Sequence, residues 1–209
     1  MSMLEVYFIA GTQDVPHGEL LPILEDALQS GITCYQFREK KLSNPVEIEK
    51  LARSCHQMCR EYHVPFFIND DVDLALEIQA DGIHVGQEDM AISDVIAKCA
   101  GKMQIGLSIN TFQQAVEAMV YEQLAYIGVG PIFETSSKVD AKETTGLDLL
   151  SAIRVASIDL PIVAIGGITT ERVPAIRKAG AQGVAVISAL VKSSNRNQTI
   201  RAMRRMDLT

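Results

Sequence analysis

What the sequence lacks narrows the field first. No stretch of its 209 residues approaches the roughly 20 consecutive apolar positions of a membrane span. The start, Met1-Ser2-Met3-Leu4-Glu5, has no basic region leading into an apolar segment and a cleavage site. A membrane partner is therefore not expected, and the cytoplasm is the expected location. Positive charge is also short: 19 Lys and Arg stand against 26 Asp and Glu, a net charge of -7. That argues against a general nucleic-acid binder, which needs a basic surface to displace counterions, so any phosphate chemistry must use a local basic pocket.

Cysteine is scarce, and Cys34, Cys55, Cys59 and Cys99 form no C-x-x-C pair. Cys55 and Cys59 share a helical face near His56 and His63, but nothing supplies a third and fourth ligand at zinc spacing, so buried thiols and surface histidines are the reading. No Ser-His-Asp or Cys-His nucleophile pattern supports acyl transfer. Tryptophan is absent as well, yet 47% of residues are hydrophobic, enough for one substantial core. With no linker, low-complexity segment or charge block, a single domain over residues 1–209 is expected.

What is present is a repeated βα pattern. Apolar, β-rich runs begin at Leu4–Ile9, Ile32–Phe37, Val64–Ile68, Asp81–Val85, Gln104–Leu107, Leu124–Val129, Pro161–Ile165 and Gly183–Ile187. Helical spacing marks Leu20–Leu28, a segment from Pro45 to about Tyr62, Val72–Ile78, Ile92–Ala100, Leu147–Ser157, Glu171–Ala179 and Asn197–Met206. Asn44 with Pro45 and Glu47 predicts a capped helix start with a capping box. Several strands are continuously apolar, as in a parallel sheet covered on both faces. Eight strands each followed by a helix predict an α/β fold, a closed (β/α)8 TIM barrel, with a doubly wound open sheet as the alternative.

In such a barrel the residues just beyond the strands converge on one face. Alternation after strand two points Gln36, Arg38 and Lys40 the same way, a clamp for a multiply charged group. Asp70 after strand three and Asp89 after strand four are the candidate magnesium ligands, since one or two carboxylates with phosphate oxygens and waters is the usual way to hold that ion. Asp71, Asp73 and Glu88 read as helix-start or solvated charges. After strand six, about 15 residues from Gly130 form a loop of the length usually reserved for function. The hydroxyls of Thr135, Ser136 and Ser137 beside Lys138 suit closure over a phosphorylated ligand, a solvated surface loop being the alternative. Gly166-Gly167 and Ser188 stand where many such barrels bind phosphate through backbone N–H groups. Two anion sites in one pocket suit two phosphorylated substrates, one of them a pyrophosphate, with its departure helped by metal and lysines. His84, the only histidine at a strand end, reads as a core residue bonded to backbone, without a catalytic role.

Five segments, in order, carry a resemblance. Gln36-Phe37-Arg38-Glu39-Lys40, Asn69-Asp70-Asp71-Val72-Asp73-Leu74-Ala75, Asp81-Gly82-Ile83-His84-Val85-Gly86-Gln87-Glu88-Asp89, Gly130-Pro131-Ile132-Phe133 with Thr135 to Lys138, and Ala164-Ile165-Gly166-Gly167-Ile168 resemble the thiamine-phosphate synthase (pyrophosphorylase) family. The resemblance runs from the first strand to Ser188. It implies a transferase that joins hydroxymethylpyrimidine diphosphate to a thiazole phosphate, or its carboxylated form, releasing pyrophosphate and forming thiamine phosphate through a pyrimidine cation.

By the same resemblance Gln36, Arg38, Lys40, Asn69, Ser108 and Lys138 hold the pyrimidine diphosphate. Asp70 and Asp89 carry Mg2+, and Thr135, Ser136, Ser137, Gly167, Ile187 and Ser188 bind the thiazole phosphate. Arg38, Lys40, Lys138 and Ser108 are the catalytic candidates, and homo-oligomerisation is left open. The chain departs from the family pattern at Asn110, where members commonly carry histidine; asparagine donates a hydrogen bond but cannot exchange a proton near neutral pH. The related thiazole tautomerases generally lack the Lys40 and paired Asp positions and rely on that histidine. A catalytically dead barrel sensing a thiazole or thiamine phosphate is a third reading, opposed by five charges gathered in one cleft.

Overall fold

The computed structural model describes residues 2–135 and 143–204. Eight parallel strands close into a barrel in sequence order: β1 (Val6–Ala10), β2 (Cys34–Phe37), β3 (Phe66–Asn69), β4 (Gly82–Val85), β5 (Gln104–Ile109), β6 (Leu124–Val129), β7 (Ile162–Ile165) and β8 (Gly183–Val186). Closure is made by β8 against β1, where Val6, Tyr7 and Phe8 register with Val184, Ala185 and Val186. The open-sheet alternative is thereby excluded, because among the described strands none is left with an unpaired edge.

Side-chain alternation explains how so many apolar strand residues find a place. Tyr7, Phe67 and Tyr126 pack together with ring centroids 5.8–5.9 Å apart. Their neighbours Phe8, Tyr35 and Phe66 form a separate ring series. The imidazole of His56, from helix α2 (Pro45–Glu61), stacks on Phe66 at 5.0 Å. One set fills the barrel and the other seals the strands against the helices, so both faces of the sheet are dry. All four cysteines are buried free thiols. Burial pushes the Cys55 thiol up to about 12 and raises Cys59 as well, which keeps both protonated near neutral pH.

The remaining helices are α1 (Leu20–Gln29), α3 (Val72–Glu77), α4 (Ile92–Cys99), α5 (Phe112–Ala118), α6 (Gly146–Val155), α7 (Val173–Lys178), α8 (Ser188–Val191) and α9 (Arg196–Arg204). None of the described helices is long and apolar enough to cross a membrane. Asn44 caps α2 through the Val46 N–H as expected. The reciprocal box, however, is found at α5, where Thr111 and Gln114 satisfy each other's backbone donors.

Several boundaries differ from the sequence expectation. The ladder carries β3 to Asn69 and β5 to Ile109, past the apolar runs, because backbone pairing continues where side chains turn polar. Helix α5 fills the gap after β5 that the apolar pattern left undelimited. After β8 a short turn of helix precedes α9, so the final connection is two helices.

Candidate active site

The polar strand ends surround a cavity of about 250 Å³ at the C-terminal mouth of the barrel. One wall carries Arg38, Lys40, Asn69, Asp70 and Asp89; the opposite wall carries Thr135, Gly166, Gly167, Ile187 and Ser188; His84, Ser108 and Asn110 lie between them. Gln36 is not a lining residue: its side chain is 1% exposed and donates to the Tyr7 hydroxyl at 3.0 Å, inside the barrel. Ser136, Ser137 and Lys138 lie outside the described residues.

The acidic wall is built by unusual backbone. Asp70 adopts φ +65°, a left-handed conformation that aspartate tolerates better than most residues, with its N–H donating to His84 O at 2.9 Å. Its carboxylate accepts from Lys40 Nζ at 2.9 Å and meets the carboxyl of Asp89. Burial raises the Asp70 carboxyl above its ordinary range, and Asp89 pushes it further, while Lys40 opposes the shift. Asp89 is fixed from its own turn, accepting from the Gly86 N–H at 2.7 Å. Two carboxyls pressed together at the cavity wall beside the Lys40 ammonium form a hard-oxygen pair that fits a divalent cation. Among the described residues no group of three or more metal-binding side chains occurs. Asp71, by contrast, caps α3 through the Leu74 N–H, and Asp73 pairs with Lys98, matching their assignment as helix-start and solvated charges.

On the far wall, Gly167 has φ +62°, and a Cβ there would lie 2.4 Å from Glu134 O. Only glycine permits the β7 and β6 loops to approach so closely. Arg172 reinforces that contact, its guanidinium 4.3 Å from the Phe133 ring centroid while it donates to Gly167 O.

A family model described as thiamine monophosphate synthase matches residues 6–190, nearly the whole barrel. The chain belongs to this family. It is 51% identical over 211 residues to a thiamine-phosphate synthase of Pasteurella multocida, covering 97% of this chain and 96% of that one. With the thiamine-phosphate synthase of Helicobacter pylori it shares 48% identity over 202 residues, covering 92% of each. A solved thiamine phosphate pyrophosphorylase from Pyrococcus furiosus superposes with a TM-score of 0.83 at 32% identity, over 97% of this chain and 94% of that chain.

Within this thiamine monophosphate synthase family barrel, several residues that shape the site were not singled out from sequence. The Gln13 side chain bridges two loops: its Nε2 donates to Arg38 O at 2.6 Å and its Oε1 accepts from Lys40 N–H at 2.9 Å. Glu39 faces the other way, accepting from the N–H and hydroxyl of Thr12 and from the N–H groups of Lys41 and Leu42. The loop after β1 thus grips the segment that presents Arg38 and Lys40. Asn110 donates through Nδ2 to Gly130 O, tying the end of β5 to the start of the β6 loop. His84 also adds to the expectation: its ring bonds to two side chains, with Nδ1 3.0 Å from the Tyr126 hydroxyl and Nε2 2.8 Å from Ser108 Oγ.

Proposed function

We propose that the protein is a magnesium-dependent thiamine-phosphate synthase that couples hydroxymethylpyrimidine diphosphate to a thiazole phosphate and releases pyrophosphate. One observation carries the reading: the acidic and cationic wall of Arg38, Lys40, Asp70 and Asp89 faces the glycine and hydroxyl wall of Gly167, Thr135 and Ser188 across a single cavity. A diphosphate and a monophosphate seated on opposite walls have their organic ends brought together between them, which converts a bimolecular encounter into a positioned one.

Departure of pyrophosphate is the demanding step, since negative charge accumulates on the leaving oxygens. Lys40 and Arg38 are aimed to meet that charge from the β2 loop, and Lys138 joins them as a sequence-based candidate. Asp70 and Asp89 would hold Mg2+, which when bound supplies charge neutralisation to the diphosphate. On the far wall, backbone N–H groups at Gly167, Ile187 and Ser188 are suited to hold the thiazole phosphate. Ser108 sits at the junction, where it can donate to the pyrimidine. Capture of a pyrimidine cation by the thiazole nitrogen after the diphosphate has left removes no proton from the nucleophile, so the coupling asks no general base of the cavity. A cytoplasmic biosynthetic role follows from this reading.

The direct test incubates the protein with both substrates and Mg2+ and looks for thiamine phosphate by mass, omitting each substrate in turn. Product that requires both substrates supports the coupling. Isomerisation of a thiazole substrate without coupled product would replace it by a tautomerase reading.

A further inference from the structure

A line of hydrogen bonds runs through the middle of the barrel and emerges at Ser108. Gln36 Nε2 lies 3.0 Å from the Tyr7 hydroxyl, the Tyr7 and Tyr126 hydroxyls are 2.8 Å apart, Tyr126 Oη is 3.0 Å from His84 Nδ1, and His84 Nε2 is 2.8 Å from Ser108 Oγ. Gln36, Tyr7 and Tyr126 are essentially without solvent exposure. We propose that this relay makes His84 a positioning residue that holds the Ser108 hydroxyl with its proton directed into the cavity, ready to donate to an acceptor atom of the bound pyrimidine.

The direction follows from the donors. An amide NH2 can only donate, so Tyr7 Oη accepts from Gln36. Tyr7 then gives its own proton to the Tyr126 oxygen 2.8 Å away; the Cys34 thiol, which also contacts Tyr7, is the weaker acceptor. Tyr126, its oxygen occupied, donates to His84 Nδ1. That nitrogen therefore carries no proton, and the proton of the neutral ring sits on Nε2, where it is donated to Ser108 Oγ. With its oxygen accepting from below, Ser108 has its O–H left to point toward the cavity it lines.

The backbone makes room for the junction. A Cβ at Gly106 would lie 2.5 Å from Tyr126 Oη and 2.6 Å from His84 Nδ1, so this position must be glycine for the two groups to meet. At Gly128, a Cβ would press on His84 Cε1 at 3.1 Å. The imidazole is further fixed by its 5.5 Å stacking on the Tyr126 ring. A histidine whose tautomer is set this way does for a hydroxyl what second-shell partners do for metal ligands: it determines which way the working atom faces.

The proposal rests on the coupling reaction for the identity of the acceptor and for its kinetic readout, whereas the tautomer is read without substrate. The 15N spectrum of the histidine-labelled, ligand-free protein, with the His84 signals assigned by their loss in His84→Gln, is expected to show the Nε2-H tautomer. Tyr126→Phe, or Tyr7→Phe should that variant fold poorly, is expected to redistribute the proton between the two nitrogens. Tyr126→Phe should also lower turnover roughly tenfold, the worth of one well-placed hydrogen bond, yet less than about twofold when Ser108→Ala is already present. An Nδ1-H ring in the native protein, or an equal loss of turnover with and without Ser108 Oγ, would overturn the proposal. Failure of the native protein to form thiamine phosphate would refute the proposed reaction, while the tautomer would still decide the relay.

Discussion

Lys40 Nζ lies 2.9 Å from Asp70 Oδ2, so the ammonium that faces the cavity is held by the carboxylate that also meets Asp89. The pair joins two loops whose residues lie 30 positions apart. It gives Lys40, half exposed, a defined place. The value of the contact is therefore placement of charge at the cavity wall more than stability, since exposed ion pairs contribute at most about 1 kcal/mol.

Asp70→Asn is the informative change on this wall, because asparagine tolerates φ +65° and leaves the backbone in place. Removing the charge proposed to hold Mg2+ should cost on the order of 100-fold or more in turnover and weaken the dependence on Mg2+. Unchanged kinetics at every Mg2+ concentration would remove Asp70 from the site.

Gln13→Ala deletes both ends of the bridge to Arg38 and Lys40. With the bond to Asp14 Oδ2 also removed, three lost hydrogen bonds of about 1 kcal/mol each should lower Tm by several degrees. The looser β2 loop should raise KM for the pyrimidine diphosphate more than KM for the thiazole phosphate. Equal changes in both KM values would mean that the bridge serves stability alone.

Glu39 offers a test in pH. Burial pushes its carboxyl up, but the N–H groups of Thr12, Leu42 and Lys41 and the Thr12 hydroxyl outweigh this and hold it below its ordinary range. A depressed carboxylate contributes stability that is present above its unfolded pKa of about 4.3 and is lost as pH falls through the lower folded value. The stability gap between the native protein and Glu39→Gln, read from urea midpoints, should be widest near neutrality and shrink below about pH 4. A gap that stays constant to about pH 3 would contradict the assignment.

Much of this architecture is readable from the sequence, for reasons particular residues make plain. Continuous apolar runs announce buried parallel strands, and polar residues such as Asn69, Asp70 and Asp89 at their ends announce the site. Helix α5 is harder to delimit because it buries only Ala115 and Ala118 while Phe112 and Val116 remain exposed, leaving a faint apolar stripe. Its Thr111-to-Gln114 capping box was the available signal. His84 could not be interpreted alone, since its partners Ser108 and Tyr126 lie 24 and 42 residues away and only barrel closure brings them together. The grip of Gln13 and Glu39 is likewise a loop-to-loop contact with no periodicity to betray it.

Asn110→His introduces the residue that the family resemblance leads one to expect at this position. Asn110 acts here by donating to Gly130 O, a role an imidazole N–H can fill, so coupling activity should stay within a few-fold of native. Complete loss would show that the β5 and β6 loop ends are packed around the smaller amide.

The most direct measurement quantifies thiamine phosphate and pyrophosphate in the same reaction mixture, first with Mg2+, then after chelation, then with Mg2+ restored. Coupling predicts equal amounts of the two products, both vanishing on chelation and both returning with the metal. Pyrophosphate released without thiamine phosphate, or product formed at the same rate in the chelated protein, would contradict the synthase site described for this barrel.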